Sequence, residues 1–280
     1  MANLVVKKVG GKYKISEWIK SLLPYHNIYC ELFGGTFCVG LSIERKSGIN
    51  YRKVYNDTDA HISNLFNVLR DNPEKISYQI ENTPYSRKDF EDSCAFFENT
   101  KDFSNIDKIE WARQYIVFNR QSIFGKEDET WCIARKGENN YITWNSLPIL
   151  IKEISTKLKD AYIECDDYKK VIEKWDNEET LFYCDVPYFG VEKDFYRPNK
   201  ENGFDHIDFY NNIKNIKGSW VVSYYDSEFI RDLYKGYSFF TKEVKKNMQI
   251  KKKKDSEVEL LIVHQNNWSK NNNENDCFNI

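Results

Sequence analysis

No stretch of this 280-residue sequence approaches the roughly 18 consecutive apolar residues that a membrane-crossing helix needs. The opening residues, MANLVVKKVGGKYK, also lack the hydrophobic core of a secretory signal, so a soluble, intracellular protein is expected. Histidine is scarce, with four residues, and the seven cysteines (Cys30, Cys38, Cys94, Cys132, Cys165, Cys184 and Cys277) include no CxxC pair. An odd, scattered set of this kind argues against a zinc knuckle or a disulfide framework and for reduced thiols. The GxGxxG fingerprint of dinucleotide-binding folds is missing, as is the spacing of a P-loop, which leaves nicotinamide binding and a phosphate loop without support. Neither charge is in strong excess: the formal net charge is -2, so a polyanionic partner would be met by the distribution of charge rather than by its sum.

What the sequence holds in abundance is apolar and aromatic side chains. Hydrophobic residues make up 41% of it, with 18 Phe, 19 Tyr and 7 Trp, enough to mark the bulk of the chain as globular. One large domain with an insertion suits this length better than a string of small modules. The end departs from the pattern: NNWSKNNNENDCFNI offers no packed face, and residues 266–280 are expected to form a loose tail. Seven lysines between Lys242 and Lys254 face the single acid Glu243, a run that suits a solvated hairpin loop and a phosphate-facing surface equally.

Strand-like and helical segments alternate along the chain. Ile28 to Leu32 reads as a strand followed by a helix from about Phe37 to Arg45, and Lys53 to Asn56 as a strand followed by a helix from His61 to Arg70. The rhythm returns at Ala161 to Glu164, Thr180 to Cys184, Gly218 to Ser223 and Val258 to Val263. This is the spacing of βα units in an α/β fold with a mostly parallel, doubly wound sheet. Phe239-Phe240-Thr241 and Val258 to Val263 are joined without a helical pattern and are expected to close the sheet as an antiparallel hairpin. Residues 59–150, helical from Ile76 to Trp111 and rich in Gly, Asn, Trp and Arg from Asn119 to Asn145, are expected as an inserted, mainly helical lobe. Residues 1–58 and 151–265 then form the two parts of the sheet domain.

Open α/β sheets bind ligands beyond the carboxyl ends of their strands, and several groups fall there. Glu31-Leu32-Phe33-Gly34-Gly35-Thr36 ends the first strand with two glycines, which let the backbone turn sharply and approach a ligand closely. Asp57, in Tyr55-Asn56-Asp57, sits about 20 residues beyond them, where an acid can accept both hydroxyls of a ribose. Capping the next helix is the other use for Asp57, and Asp59 is available for that too. After the returning strand, Asp167 can receive the amino group of an adenine with Tyr168 against its ring; Asp166 competes, and a plain surface turn has the same letters. In Lys7-Lys8-Val9-Gly10-Gly11-Lys12 the glycines and lysines suit the carboxylate of an amino-acid moiety. Cys184-Asp185-Val186-Pro187-Tyr188-Phe189 offers a carboxylate, a carbonyl and a flat ring within four residues, a grouping able to grip an exocyclic amine on a planar base.

In this order the segments resemble the Dam-type, D12 class of DNA adenine-N6 methyltransferases across about residues 6–264. Lys7 to Lys12 is similar to a KWAGGK-like segment, Glu31 to Gly35 to the EPFxG cofactor turn, and Asn56 to Asp59 to the acid-bearing DIN segment. Arg120-Gln121-Ser122-Ile123-Phe124-Gly125 resembles the Arg-containing stretch of the recognition lobe in phage and prophage members. TLFYCDVPY, from Thr180 to Tyr188, resembles TLFYxDPPY, and Gly218 to Asp226 and Glu259-Leu260-Leu261-Ile262 resemble the later strands. Two positions depart from the pattern: Leu32 and Val186 stand where the family usually has proline. Valine keeps the main-chain carbonyl and loses the φ that proline fixes near about -65°, which implies an active enzyme with a less preorganised clamp.

The resemblance implies a Rossmann-like methyltransferase using S-adenosyl-L-methionine, with double-stranded DNA as substrate and a companion restriction endonuclease in the same system. It places the protein in the cytoplasm of a bacterial, archaeal or phage-infected cell, with no membrane partner and no structural metal. Asp185, Val186, Pro187 and Tyr188 are the implied catalytic motif. The Asp185 carboxylate and the Val186 carbonyl would accept the two amino hydrogens of a flipped adenine, and Tyr188 would stack on its ring. Lys8, Gly10, Gly11, Lys12, the turn from Glu31 to Thr36, Asp57, Asp167, Tyr168 and Asp185 are the implied cofactor contacts. Arg120, Gln121, Ser122, Arg135, Lys136 and Asn139 are the implied DNA contacts. Two alternatives share these residues: a catalytically impaired DNA-binding relative, and a methyltransferase acting on cytosine N4 or on RNA.

Overall fold

The computed structural model describes residues 4–8, 11–44, 50–123, 130–132, 140–189, 203–245 and 256–276. They fall into two compact units, one within Met1–Ser16, Gly35–Glu44 and Asp57–Cys165, the other within Glu17–Gly34, Arg45–Asn56 and Asp166–Ile280. Of the five points where the chain passes from one unit to the other, three lie just beyond strand ends, at Gly34–Gly35, Asn56–Asp57 and Cys165–Asp166.

The second unit is built on β1 (Ile28–Glu31), β2 (Arg52–Asn56), β4 (Thr180–Asp185), β5 (Ser219–Tyr225), β6 (Ser238–Lys245) and β7 (Ser256–His264). Their order is β2-β1-β4-β5-β7-β6. β1 runs parallel to β2 and to β4, and β4 to β5, whereas β7 runs antiparallel to both β5 and β6. The expected closing hairpin is therefore present, with its second strand inserted beside β5. Parallel strands covered on both faces need apolar side chains at nearly every position, and the runs LFYC in β4 and WVVSY in β5 are buried throughout. Phe182, Trp220, Val222 and Ile262 join Phe209 and Ile230 in one core cluster. Burial of Phe182 and of Phe209 contributes about 1.5–3 kcal/mol each. α9 (Tyr168–Trp175), α10 (His206–Ile213) and α11 (Glu228–Leu233) start on Asp167, Asp205 and Ser227, whose side chains accept from otherwise unpaired first-turn N–H groups.

The first unit is helical apart from β3 (Ala161–Glu164) and a lone bridge between Ser122 and Trp131. α1 (Ser16–Ser21) leads out of it, and α2 (Cys38–Ser42) returns to it. α3 (Ala60–Asp71), α4 (Pro73–Glu81), α5 (Arg87–Asn99), α6 (Lys108–Gln121), α7 (Asn140–Asn145) and α8 (Leu147–Leu158) follow. α3 packs against α6 and α8 through an apolar face that includes Ile62, Leu65, Phe66 and Leu69. Asp59, Ser86 and Asp107 cap α3, α5 and α6.

The segment from Asn266 is not the loose tail its composition suggests, because α12 (Asn267–Asp276) forms there. Asn266 caps it by accepting from the Ser269 N–H at 2.8 Å and donates to the Glu178 and Lys217 carbonyls. The Trp268 ring packs on Tyr25 at 5.5 Å. One cap and one anchored ring fix a start that polar composition hides. Among the described residues no helix is long and apolar enough to cross a membrane, and no cluster of His, Cys, Asp or Glu is arranged to hold a metal ion.

Candidate active site

Side chains alternate across a sheet, so Tyr183 and Asp185 leave β4 on one face while Phe182 and Cys184 enter the core on the other. Asp185 pairs in register with Ser223 and ends the strand half-buried. Just past it, Val186 sinks its side chain into the core and Tyr188 is buried. The Tyr188 hydroxyl donates to Glu259 Oε1, and Ser223 Oγ donates to the same oxygen at 3.0 Å. Ser223 Oγ also lies 3.3 Å from the hydroxyls of Tyr183 and Tyr188. Burial first, and then the neighbouring Asp185 carboxylate, push both tyrosine hydroxyls well above the usual phenol range, so each stays a neutral donor. Burial likewise raises the Cys184 thiol, which disfavours its thiolate. The Tyr188 ring meets Tyr225 edge-on at 4.4 Å, and the exposed Phe189 stacks on Phe229 at 4.4 Å.

The β1 turn leaves the sheet beside this edge, since the Leu32 N–H donates to the Tyr183 carbonyl at 3.1 Å. Glu31 is buried and accepts from the Tyr29 hydroxyl at 2.8 Å. Phe33 is half-buried among Tyr168, Phe204 and Phe209, with ring centroids 5.6–5.7 Å away. The fully buried Asn56 ties the next turn to this one: its Nδ2 donates to Leu32 O at 2.9 Å and to Asp166 O at 3.0 Å, while its Oδ1 accepts from the Asp166 N–H at 3.0 Å. Asp166 is ion-paired with Lys170 at 3.0 Å, a hydrogen bond that lowers its carboxyl pKa. Asp167 is exposed and caps α9, and Tyr168 donates to Asp208 at 3.1 Å. A Cβ on Gly34 would lie 2.3 Å from the Tyr55 ring and 3.0 Å from Asn56 O, so the turn closes only without one. Gly34→Ala is expected to destabilise the protein by about 1–3 kcal/mol through overpacking. A denaturant midpoint equal to wild type would show instead that Tyr55 yields.

The family profile of the D12 class N6 adenine-specific DNA methyltransferases matches residues 9–250. The chain belongs to this family. Type II methyltransferase M.MjaIII of Methanocaldococcus jannaschii is 27% identical over 299 aligned positions, covering 92% of this chain and 98% of that protein. The DNA adenine methylase of Haemophilus influenzae is 23% identical over 280 positions, covering 92% of each. The sequence resemblance therefore holds over nearly the whole length, and with it the expected Rossmann-like fold and adenine-N6 DNA methylation.

The methyltransferase's first unit carries the remaining expected site residues. Gly35, at φ +47, donates its N–H to Asp57 Oδ2 at 2.9 Å, and Lys8 Nζ reaches the same oxygen at 3.4 Å. Asp57 Oδ1 accepts from the Asp59 N–H at 3.0 Å, while Asp59 itself caps α3. The capping role thus falls to Asp59, and Asp57 braces the glycine turn. Gly11 donates to the Lys8 carbonyl at 3.3 Å, Lys12 is buried, and the buried Thr36 hydroxyl lies 2.8 Å from Cys38 Sγ. Lys7 Nζ donates to the Arg120 and Ser122 carbonyls at the end of α6, where a cation is favoured, and Asn119 holds its main chain.

Gln121 and Ser122 do not present themselves to DNA. Both are fully buried; Gln121 Nε2 donates to Pro84 O at 3.0 Å and its Oε1 accepts from Trp131 Nε1 at 3.3 Å, while Ser122 Oγ donates to Asn119 O at 3.1 Å. Their motif is scaffolding, a correction that follows from the amide having both ends engaged. The exposed Arg87 guanidinium lies 4.9 Å above the Trp131 ring. Arg120 is half-buried and desolvation lowers its pKa to about 10, which leaves it charged at neutral pH with no carboxylate partner among the described residues. Gly10, Arg135, Lys136, Asn139 and residues 246–255 of the lysine run lie outside the described residues.

Proposed function

We propose that this DNA methyltransferase takes its methyl group from S-adenosylmethionine and delivers it to an adenine swung out of double-stranded DNA. The observation that carries this reading is the pair of turns leaving neighbouring parallel strands, Leu32–Gly34 from β1 and Val186–Tyr188 from β4, where the strand order reverses. The donor set suits the cofactor. Phe33 and Tyr168 offer half-buried rings for an adenine, with Asp167 for its amine. Asp57 offers a carboxylate for ribose hydroxyls, and Lys8 and Gly11 offer a cation and close backbone approach for an amino-acid carboxylate, whereas the Lys12 side chain is buried. The Glu31, Leu32 and Thr36 side chains are buried, so their part is to shape the turn.

When bound, S-adenosylmethionine supplies an electrophilic methyl on a sulfonium. The target N6 is a poor nucleophile because its lone pair is spread into the purine ring. Asp185 and the Val186 carbonyl accept its two hydrogens and favour a tetrahedral nitrogen, an interaction that strengthens as positive charge develops there. Tyr188 stacks on the base and offsets part of the cost, about a few kcal/mol, of extruding it. Pro187 fixes the backbone between them. Arg87 and Arg120 supply positive charge to phosphates or guanine edges.

Incubation of purified protein with plasmid DNA and S-adenosylmethionine carrying a tritiated methyl tests the reading. Label is expected in N6-methyladenine at one recurring sequence. Label in N4-methylcytosine, in RNA alone, or in nothing would reject it.

A further inference from the structure

Glu259 lies in the middle of β7, and 3% of it is exposed. Its register partner on β5 is Tyr225, and Ser223 follows on the same face. Leu261 and Val263, on the same face of β7, are aliphatic. A buried carboxylate is costly there unless its lone pairs are filled, and an apolar residue of similar volume carries no such cost. Glu259 fills them with hydroxyl donors, Tyr188 and Ser223, on one oxygen. Tyr188 stands past the end of β4, outside the strand ladder, so backbone pairing does not set its ring orientation. The hydroxyl tether holds one end of the ring, beside Ser223 Oγ at 3.3 Å, while Tyr225 packs edge-on at 4.4 Å and Tyr224 lies tilted at 6.2 Å.

We infer that Glu259 is a positioning residue for methyl transfer, holding the Tyr188 ring, through its hydroxyl, in the orientation that receives the extruded base. This rests on Tyr188 being the stacking platform. The tether restores order that the motif loses where Val186 replaces a proline. It requires a protonated phenol, which burial and the adjacent carboxylates maintain. Glu259 touches neither substrate nor cofactor in this scheme, and its effect passes through one oxygen atom.

Tyr188→Phe, Glu259→Leu, the double variant and Tyr188→Ala test this, with kcat, KM for DNA and cofactor, and melting temperature measured for each. Tyr188→Phe removes a single oxygen and keeps the ring, which makes it the decisive variant if Glu259→Leu does not fold. Small misplacements of a reacting group cost up to about 100-fold, so each single variant is expected to lower kcat about 10-fold or more, with both KM values little changed. The double variant is expected to regain part of the stability, since neither the buried carboxylate nor the Tyr188 hydroxyl remains and Ser223 Oγ, which loses its acceptor, still lies 3.3 Å from the Tyr183 hydroxyl, and yet to keep the lowered kcat of the singles. Recovery of kcat along with stability would reduce Glu259 to a structural role, and multiplying effects would show that it acts independently of the hydroxyl. Either result overturns the inference. Loss of kcat in Tyr188→Ala but not in Tyr188→Phe would overturn the tether alone, whereas full activity in Tyr188→Ala would remove the platform itself.

Discussion

Asp185→Ala is expected to lower methyl transfer by at least about 10²–10³-fold while leaving S-adenosylmethionine affinity near its wild-type value. The magnitude follows from what the carboxylate does late in the reaction. A neutral amine makes modest hydrogen bonds, but as the methyl arrives N6 gains positive charge, and a carboxylate acceptor then contributes far more than it does to ground-state binding. Alanine leaves the Val186 carbonyl as the sole acceptor in the clamp, so the loss should appear in kcat rather than in KM. Stability is expected to change little, because Asp185 is half-buried and closes β4 rather than filling the core. Asp185→Asn retains the size and loses the charge, and should fall between the two. Single-turnover transfer and calorimetric cofactor binding, measured on the same preparations, separate these effects. Turnover retained in the alanine variant would remove Asp185 from the clamp.

The strand ends were legible in the sequence because fully buried parallel strands write nearly unbroken apolar runs, and LFYC followed by Asp185 can hardly be read otherwise. The glycine turn was legible for a similar reason: Gly34 and Gly35 stand where a Cβ meets Tyr55 in one case and a positive φ in the other. The function of a polar letter was harder to read. Gln121 and Ser122 have the chemistry of base-reading residues, but only the fold shows both ends of that amide spent internally. Glu259 is the opposite case. Its signal was present, a charge interrupting the apolar run VELLIV, yet its partner Tyr188 lies far off in sequence and no local pattern joins them. The helix from Asn267 was hidden because a cap and one anchored tryptophan outweighed an unpromising composition.

Asn56→Ala is expected to have the largest effect on cofactor binding of any single change that touches no cofactor atom. The Asn56 amide is fully buried and joins the turn after β1, through Leu32 O, to the turn before α9, through the N–H and C=O of Asp166. Those two turns carry Phe33 and Tyr168, whose rings are 5.6 Å apart. Alanine strands three backbone groups that no longer reach a partner, and each one left unpaired in the interior costs about 1–3 kcal/mol. Part of that cost is avoided if the turns part and admit water, and it is this relaxation that separates Phe33 from Tyr168 and weakens the adenine site. Denaturant midpoint and cofactor Kd should therefore worsen together. Asn56→Asp sharpens the test, since it keeps the acceptor for the Asp166 N–H but sets a carboxylate against the Leu32 and Asp166 carbonyls, so that repulsion replaces two hydrogen bonds. It should bind cofactor no better than the alanine variant. A lowered midpoint with unchanged Kd in both would mean that the turns hold their places without the amide, and that the Phe33–Tyr168 pair is fixed by the packing of Phe204 and Phe209 alone.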